Sequence, residues 1–111
     1  MDIPKFQCPL DYGMSLIGGK WKLIIIWHLS SGTKRFNELK KMIPSITPRM
    51  LTAQLRELES NKIIIRTVYP EVPPKVEYSL SEYGLIVMPI LNELCNWAKV
   101  IAINNNIEFK N

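Results

Sequence analysis

A chain of 111 residues, 47% hydrophobic and 22% charged, is one domain with enough apolar residues for a core, which excludes a disordered or low-complexity polymer. Its net charge of +4 is unevenly spread, with +5 over residues 1–80 and −1 over residues 81–111. A basic front joined to a near-neutral apolar end suggests a polyanion-binding head and an assembly helix.

Two distant cysteines, Cys8 and Cys95, and one histidine, His28, make neither a disulfide framework nor a zinc pattern. They also leave almost nothing from which to build a catalytic site, so the expectation is no enzyme, no cofactor and no metal. The polar start Met1-Asp2-Ile3-Pro4-Lys5 does not read as a signal peptide, and Leu23–Trp27 is too short to cross a bilayer. The expected setting is the cytoplasm, with reduced thiols and no membrane.

Pro4 and Pro9 punctuate an irregular start. Asp11 is placed to cap a short helix through Tyr12, Met14, Leu16 and Ile17, stopped by Gly18-Gly19. A second helix is expected from Trp21 to about Ser30. It is apolar on nearly all sides over Leu23–Trp27, so it belongs in the core. Ser31-Gly32-Thr33 ends it. A third helix begins at Phe36, with Phe36, Leu39 and Ile43 on one face, and Pro44-Ser45-Ile46 breaks it.

The next helix, residues 47–60, carries two faces. Thr47 can cap its first turn, and Pro48 suits the first helical position because its missing N–H would be unpaired there anyway. Leu51, Leu55 and Leu58 form an apolar stripe. Arg49, Thr52, Ala53 and Arg56 fall opposite, flanked by Gln54, with no acid at the N-terminal end. Arg, Gln and Thr can bond base edges or phosphates. Two amphipathic helices joined by a short turn, about residues 36–60, fit a helix-turn-helix whose second helix reads DNA.

Ile63–Tyr69 is β-branched and strand-like, and Lys75–Leu80 alternates polar and apolar residues. The proline-rich 70–74 segment between them cannot be central strand, which makes a hairpin over about 63–80 with a stiff tip. Helix, turn, helix, hairpin is the order of a winged helix. Ser81 caps a last helix to about Ile103. Ile86, Ile90, Leu94, Trp97 and Ile101 form one stripe, and Val87, Leu91, Cys95, Ala98 and Ala102 form a second. That width suggests burial on two sides, most simply against the same helix of another copy. Pro89 should kink the helix or mark its first proper turn. The fold class is therefore mainly α with a small β-hairpin: one winged helix-turn-helix DNA-binding domain spanning 1–111, ending in a dimerisation helix over about 82–103.

Cys8-Pro9-Leu10, Gly18-Gly19-Lys20-Trp21, Arg35-Phe36-Asn37-Glu38-Leu39, Leu51–Leu58 and Tyr69–Leu80 resemble the HxlR-type bacterial transcriptional regulators, winged-helix proteins related to the MarR group. The resemblance covers about Cys8 to Trp97. It implies a homodimer on pseudo-palindromic, double-stranded operator DNA. The 47–60 helix would enter the major groove, and the 70–74 wing would reach the flanking groove or backbone. DNA contacts are expected from Ser45, Thr47, Pro48, Arg49, Thr52, Gln54 and Arg56 on and before the reading helix. Lys34, Arg35 and Asn37 are expected to hold the backbone from the preceding helix, and Lys75 from the wing. Arg35 and Arg56 have a competing role in ion pairs with Glu38 and Glu59.

The dimer interface is expected at Ile86, Ile90, Leu91, Leu94, Trp97, Ala98 and Ile101. In several relatives an N-terminal cysteine senses oxidants, quinones or aldehydes, which makes Cys8 the redox-sensing candidate. The competing role for Cys8 is a small apolar residue against the core, and Cys95 reads as packing. Trp21, Trp27 and Trp97 read as core or interface residues, and Tyr69 and Tyr78 as a cross-strand pair that stiffens the hairpin. Two further functions compete: a winged-helix protein-interaction module that does not bind DNA, and a regulator switched by a small-molecule effector held between core and dimer helices.

Overall fold

A computed structural model describes residues 3–110. The elements run α1 (Pro9–Ile17), α2 (Lys22–Leu29), α3 (Phe36–Met42), α4 (Pro48–Ser60), β1 (Ile64–Tyr69), β2 (Lys75–Leu80), α5 (Glu82–Ile86) and α6 (Met88–Asn104). This is the mainly α winged helix-turn-helix that the residue pattern predicts.

The centre of the core is α2. Its Ile25 and Ile26 are fully buried and Leu29 nearly so, and the helix touches α3, α4, α6 and β2. Leu39, Ile43 and Ile46 close over it from α3 and the following turn. Leu51, Leu55 and Leu58 close over it from α4, and Ile63, Ile64 and Leu91 complete the cluster. Each such side chain stabilises the fold by about 1.5–3 kcal/mol through burial. The three leucines of α4 therefore fix which face of that helix points outward.

Local signals set the ends of α4. The Thr47 hydroxyl accepts the Met50 N–H at 3.1 Å, and Pro48 opens the helix. At the other end Ile63 N–H donates to the Leu58 carbonyl and Lys62 N–H to the Glu59 carbonyl, both at 2.9 Å. This paired closure needs a left-handed residue after the cap, and Lys62 supplies it at φ 61°. The chain then turns directly into β1.

β1 and β2 pair antiparallel, with Ile64 opposite Leu80, Arg66 opposite Tyr78 and Tyr69 opposite Lys75. Tyr69 and Tyr78 are thus not a cross-strand pair; the register places each against a different residue. On its other side Tyr78 exchanges backbone hydrogen bonds with Lys34, at 2.9 and 2.8 Å, so the segment before α3 is laced to the hairpin. Ser81 ties the base of the hairpin to α5. Its Oγ accepts the Gly84 N–H at 3.3 Å and lies 2.6 Å from the Lys62 carbonyl and 2.8 Å from that of Ile63. Gly84 is buried there; a Cβ on it would stand 2.5 Å from the Ile63 carbonyl oxygen.

Two helix boundaries differ from expectation. Helix α1 is capped by Cys8, not Asp11, with Pro9 in the first turn. Proline at that position favours an earlier start, and Asp11 instead reaches back to accept the Gln7 N–H at 3.0 Å. The last helix is divided at Val87 into α5 and α6, because Pro89 removes an N–H that a continuous helix would use. Of the two stripes on α6, one faces in: Leu91 and Ala102 are buried, and Val87, Cys95 and Ala98 are half-buried. The other faces out, with Ile86 70%, Ile90 62% and Trp97 63% exposed. The radius of gyration, 15.8 Å, exceeds the roughly 13 Å of a compact chain of this length.

Candidate nucleic-acid interface

The outward ridge of α4 is Arg49, Ala53, Arg56 and Ser60, all exposed. At 1.5 Å of rise per residue the two guanidinium-bearing positions lie about 10 Å apart along the helix. No acidic residue occupies the first turn of α4. The positive end of the helix dipole and the Arg49 guanidinium therefore add up in one place, where a phosphate is favoured. Ser45, Thr47 and Pro48 are exposed around this end, and Ile46, 1% exposed, pins the turn to the core. Thr52 and Gln54 are half-buried on the flanks of the ridge.

Arg35 and Arg56 make no ion pair among the described residues, so the pairings with Glu38 and Glu59 do not form. Glu38 is used otherwise: it accepts the Arg35 backbone N–H at 2.9 Å and caps α3. Arg35 and Asn37 are exposed beside it. Lys34 is half-buried; its ammonium donates to the Gly32 carbonyl at 3.2 Å. Burial first, and then the Lys34 charge, hold the pKa of His28 below its ordinary value. Helix α4 is also tied from behind: Lys22, 13% exposed in its side chain, pairs with Glu57 at 2.6 Å. This contact compensates a cation placed at the positive end of α2.

On the hairpin the wing cation Lys75 has neighbours of its own. Lys75 pairs with Glu77 at 3.9 Å and lies over the Tyr69 ring at 5.0 Å. A hydrogen bond from Tyr69 to Glu77, and then the Glu77 charge, raise the Tyr69 pKa above its ordinary value. The tip carries exposed Glu71 and fully exposed Val72, and the Val72–Pro73 peptide is cis. The sequence reading passed over Arg66, which is exposed on β1; the run Ile63–Tyr69 has no polar-apolar alternation that would have marked it.

Cys8 is exposed at the start of α1, and its Sγ accepts the Asp11 N–H at 3.4 Å. Pro4, Phe6, Pro9 and Tyr12 surround it as an apolar shelf, with the Phe6 and Tyr12 rings 4.9 Å apart. The core-packing alternative for Cys8 therefore does not hold. Cys95 is half-buried on the inward stripe. Leu91, 4% exposed, belongs to the protomer's own core and is unavailable to a partner; Ile86, Ile90, Leu94, Trp97 and Ile101 remain exposed, and Ala98 half-buried. Trp21 packs half-buried against the core, whereas Trp27 is 40% exposed. A cleft of about 450 Å³ opens between α1, the end of α4 and α5, lined by Tyr12, Leu16, Ile63, Tyr83, Ile86 and Ile90. Among the described residues no group of three or more His, Cys, Asp or Glu could hold a metal.

Residues 16–105 match the model of the HxlR-like helix-turn-helix family. The HTH-type transcriptional regulator YybR of Bacillus subtilis is 52% identical over 95 residues, 86% of this chain and 76% of its own. Among solved structures, the redox regulator HypR in its oxidized form superposes with a TM-score of 0.80 at 52% identity, covering 84% of this chain and 96% of its own. The reduced form of the regulator YodB from B. subtilis does so at 0.74 and 41%, covering 84% and 92%.

Proposed function

This chain belongs to the HxlR-like helix-turn-helix family of transcriptional regulators, and from that premise we propose that it is a cytoplasmic homodimer binding operator DNA, with α4 in the major groove and the 70–74 tip at the flanking groove or backbone. One observation carries the reading: an outward ridge on α4 that presents Arg49 and Arg56, neither in an ion pair among the described residues, behind an N-terminus free of acids. Thr47, Pro48 and Ser45 position the leading end, Thr52 and Gln54 line its flanks, and Arg35, Asn37 and Lys34 meet phosphates from the α3 side. A bidentate arginine on guanine contributes about 1–3 kcal/mol of discrimination.

The exposed stripe Ile86, Ile90, Leu94, Trp97 and Ile101, with Ala98, is the face for the second copy. Glu82–Asn104 is long and apolar enough to cross a membrane by length and composition, with a mean hydropathy of 1.4. Its inner stripe already packs on the core, which suits a soluble partner on the outer one and not a lipid surround. The small-molecule reading draws on the 450 Å³ cleft, whose lining continues that stripe through Ile86 and Ile90.

Cys8 is the thiol through which oxidants act. The sulfur is exposed at the start of α1, with only the Asp11 N–H on it, so an oxidant can reach it from solvent. The redox regulator HypR supports this by likeness. The test is binding to the promoter fragment from its genomic neighbourhood across a salt series, with and without oxidant, for wild type, Arg49→Ala and Cys8→Ser. Salt-sensitive binding lost in Arg49→Ala, and release by oxidant abolished in Cys8→Ser, are the expected results. Release that persists in Cys8→Ser moves the switch to the cleft, and the absence of salt-sensitive binding favours the interaction-module alternative.

A further inference from the structure

Antiparallel pairing puts directly opposed residues on the same face of a sheet, and neighbours along a strand on opposite faces. The register therefore sorts the hairpin into two faces. Ile64, Arg66 and Val68 share one with Leu80, Tyr78 and Val76; Ile65, Thr67 and Tyr69 share the other with Ser79, Glu77 and Lys75. Ile64 is 2% exposed, and Tyr78 and Leu80 pack against the core. The first face is thus the one turned toward the helix-turn-helix, and the second turns away.

The two faces differ in free charge. On the outer face Lys75 is held by Glu77 and the Tyr69 ring. Glu77 offsets part of its charge, and Glu71 at the tip adds a negative one. On the inner face Arg66 is exposed and makes no ion pair among the described residues. Tyr78 lies opposite Arg66 on one side and is bridged to Lys34 on the other. Lys34, Tyr78 and Arg66 therefore form one row across the ladder, with about 5 Å per strand. The row joins the wing to the start of α3, where Arg35 is exposed.

Resting on the DNA-binding reading above, we infer that Arg66 is the cation with which the wing grips the phosphodiester backbone, and that Lys75 takes no part in it. A duplex lying along α4 meets the inner face of the hairpin first. The guanidinium there has no carboxylate to leave, whereas Lys75 would have to give up both of its partners.

The experiment is a salt series of binding to a mixed-sequence 30-base-pair duplex for wild type, Arg66→Gln, Lys75→Gln and Arg49→Ala, with thermal melting to verify folding. In a homodimer the substitution removes one phosphate contact from each wing, two in all, which flattens the slope of log K against log salt by about 1.8, so that the affinity lost between 50 and 200 mM salt shrinks by about 12-fold. Arg66→Gln is expected to show this change and Lys75→Gln the wild-type slope. A wild-type slope in Arg66→Gln, or an equal flattening in Lys75→Gln, overturns the inference while Arg49→Ala still tests the reading helix. Binding by wild type that shows no salt dependence overturns the DNA-binding reading and this inference with it.

Discussion

Replacing Ser81 by alanine removes a clip that joins three elements. The Oγ caps α5 through the Gly84 N–H and donates its one proton to the Lys62 or Ile63 carbonyl, while the Ser81 N–H bond to Ile63, at 3.0 Å, survives the change. Losing the cap costs about 1 kcal/mol. Losing the hydroxyl bond at a half-buried carbonyl costs about 1 kcal/mol more. With an unfolding entropy of about 2.1 cal/mol/K per residue, the sum of about 2 kcal/mol lowers Tm by about 9 °C in a chain of this length. Thermal and urea unfolding at one fixed protein concentration measures it, which holds any self-association constant. The urea slope should stay constant, because the surface exposed on unfolding is unchanged. Ser81→Thr, which keeps the hydroxyl, should lose far less. A loss under about 0.5 kcal/mol, or equal losses in the two variants, would refute the account of Ser81 as a capping clip.

Three further outcomes are expected. Lys62→Gly should raise stability by about 0.5–1 kcal/mol in urea unfolding, because relief of a left-handed non-glycine residue outweighs glycine's extra entropy; destabilisation would mean that the Lys62 side chain holds the turn. Trp97→Glu, which places a charge on the exposed stripe of α6, should leave a folded monomer in sedimentation at concentrations where wild type is a dimer. His28, with its pKa lowered by burial and Lys34, binds protons less readily folded than unfolded. Its neutral form contributes stability that is fully present above the unfolded value of 6.5 and is lost as pH falls through the folded one. Between pH 7 and 6 wild type should therefore lose more stability than His28→Gln, and parallel curves would contradict this.

Much of the molecule is written locally in its residues. Thr47 and Pro48 start α4 by bonding and backbone geometry within one turn, and Leu51, Leu55 and Leu58 orient it through a 3.6-residue period. The prolines of the 70–74 segment end β1 and permit β2 to begin where alternation resumes. The family resemblance rests on the same short-range patterns and agrees with the match over residues 16–105. What needed the tertiary structure is each choice between equivalent local alternatives. The apolar stripes of α6 look alike in sequence, and only the position of α2 and its neighbours decides that Leu91 goes in and Trp97 stays out. Arg66 and Lys75 are both strand cations, and the register alone sets them on opposite faces. The bridge from Lys34 to Tyr78 joins residues 44 positions apart, and no local preference encodes that pairing. Sequence by itself determined the elements and the chemistry they carry. Packing decided which of those side chains are buried in the core and which stay exposed, because burial depends on what the rest of the chain brings alongside.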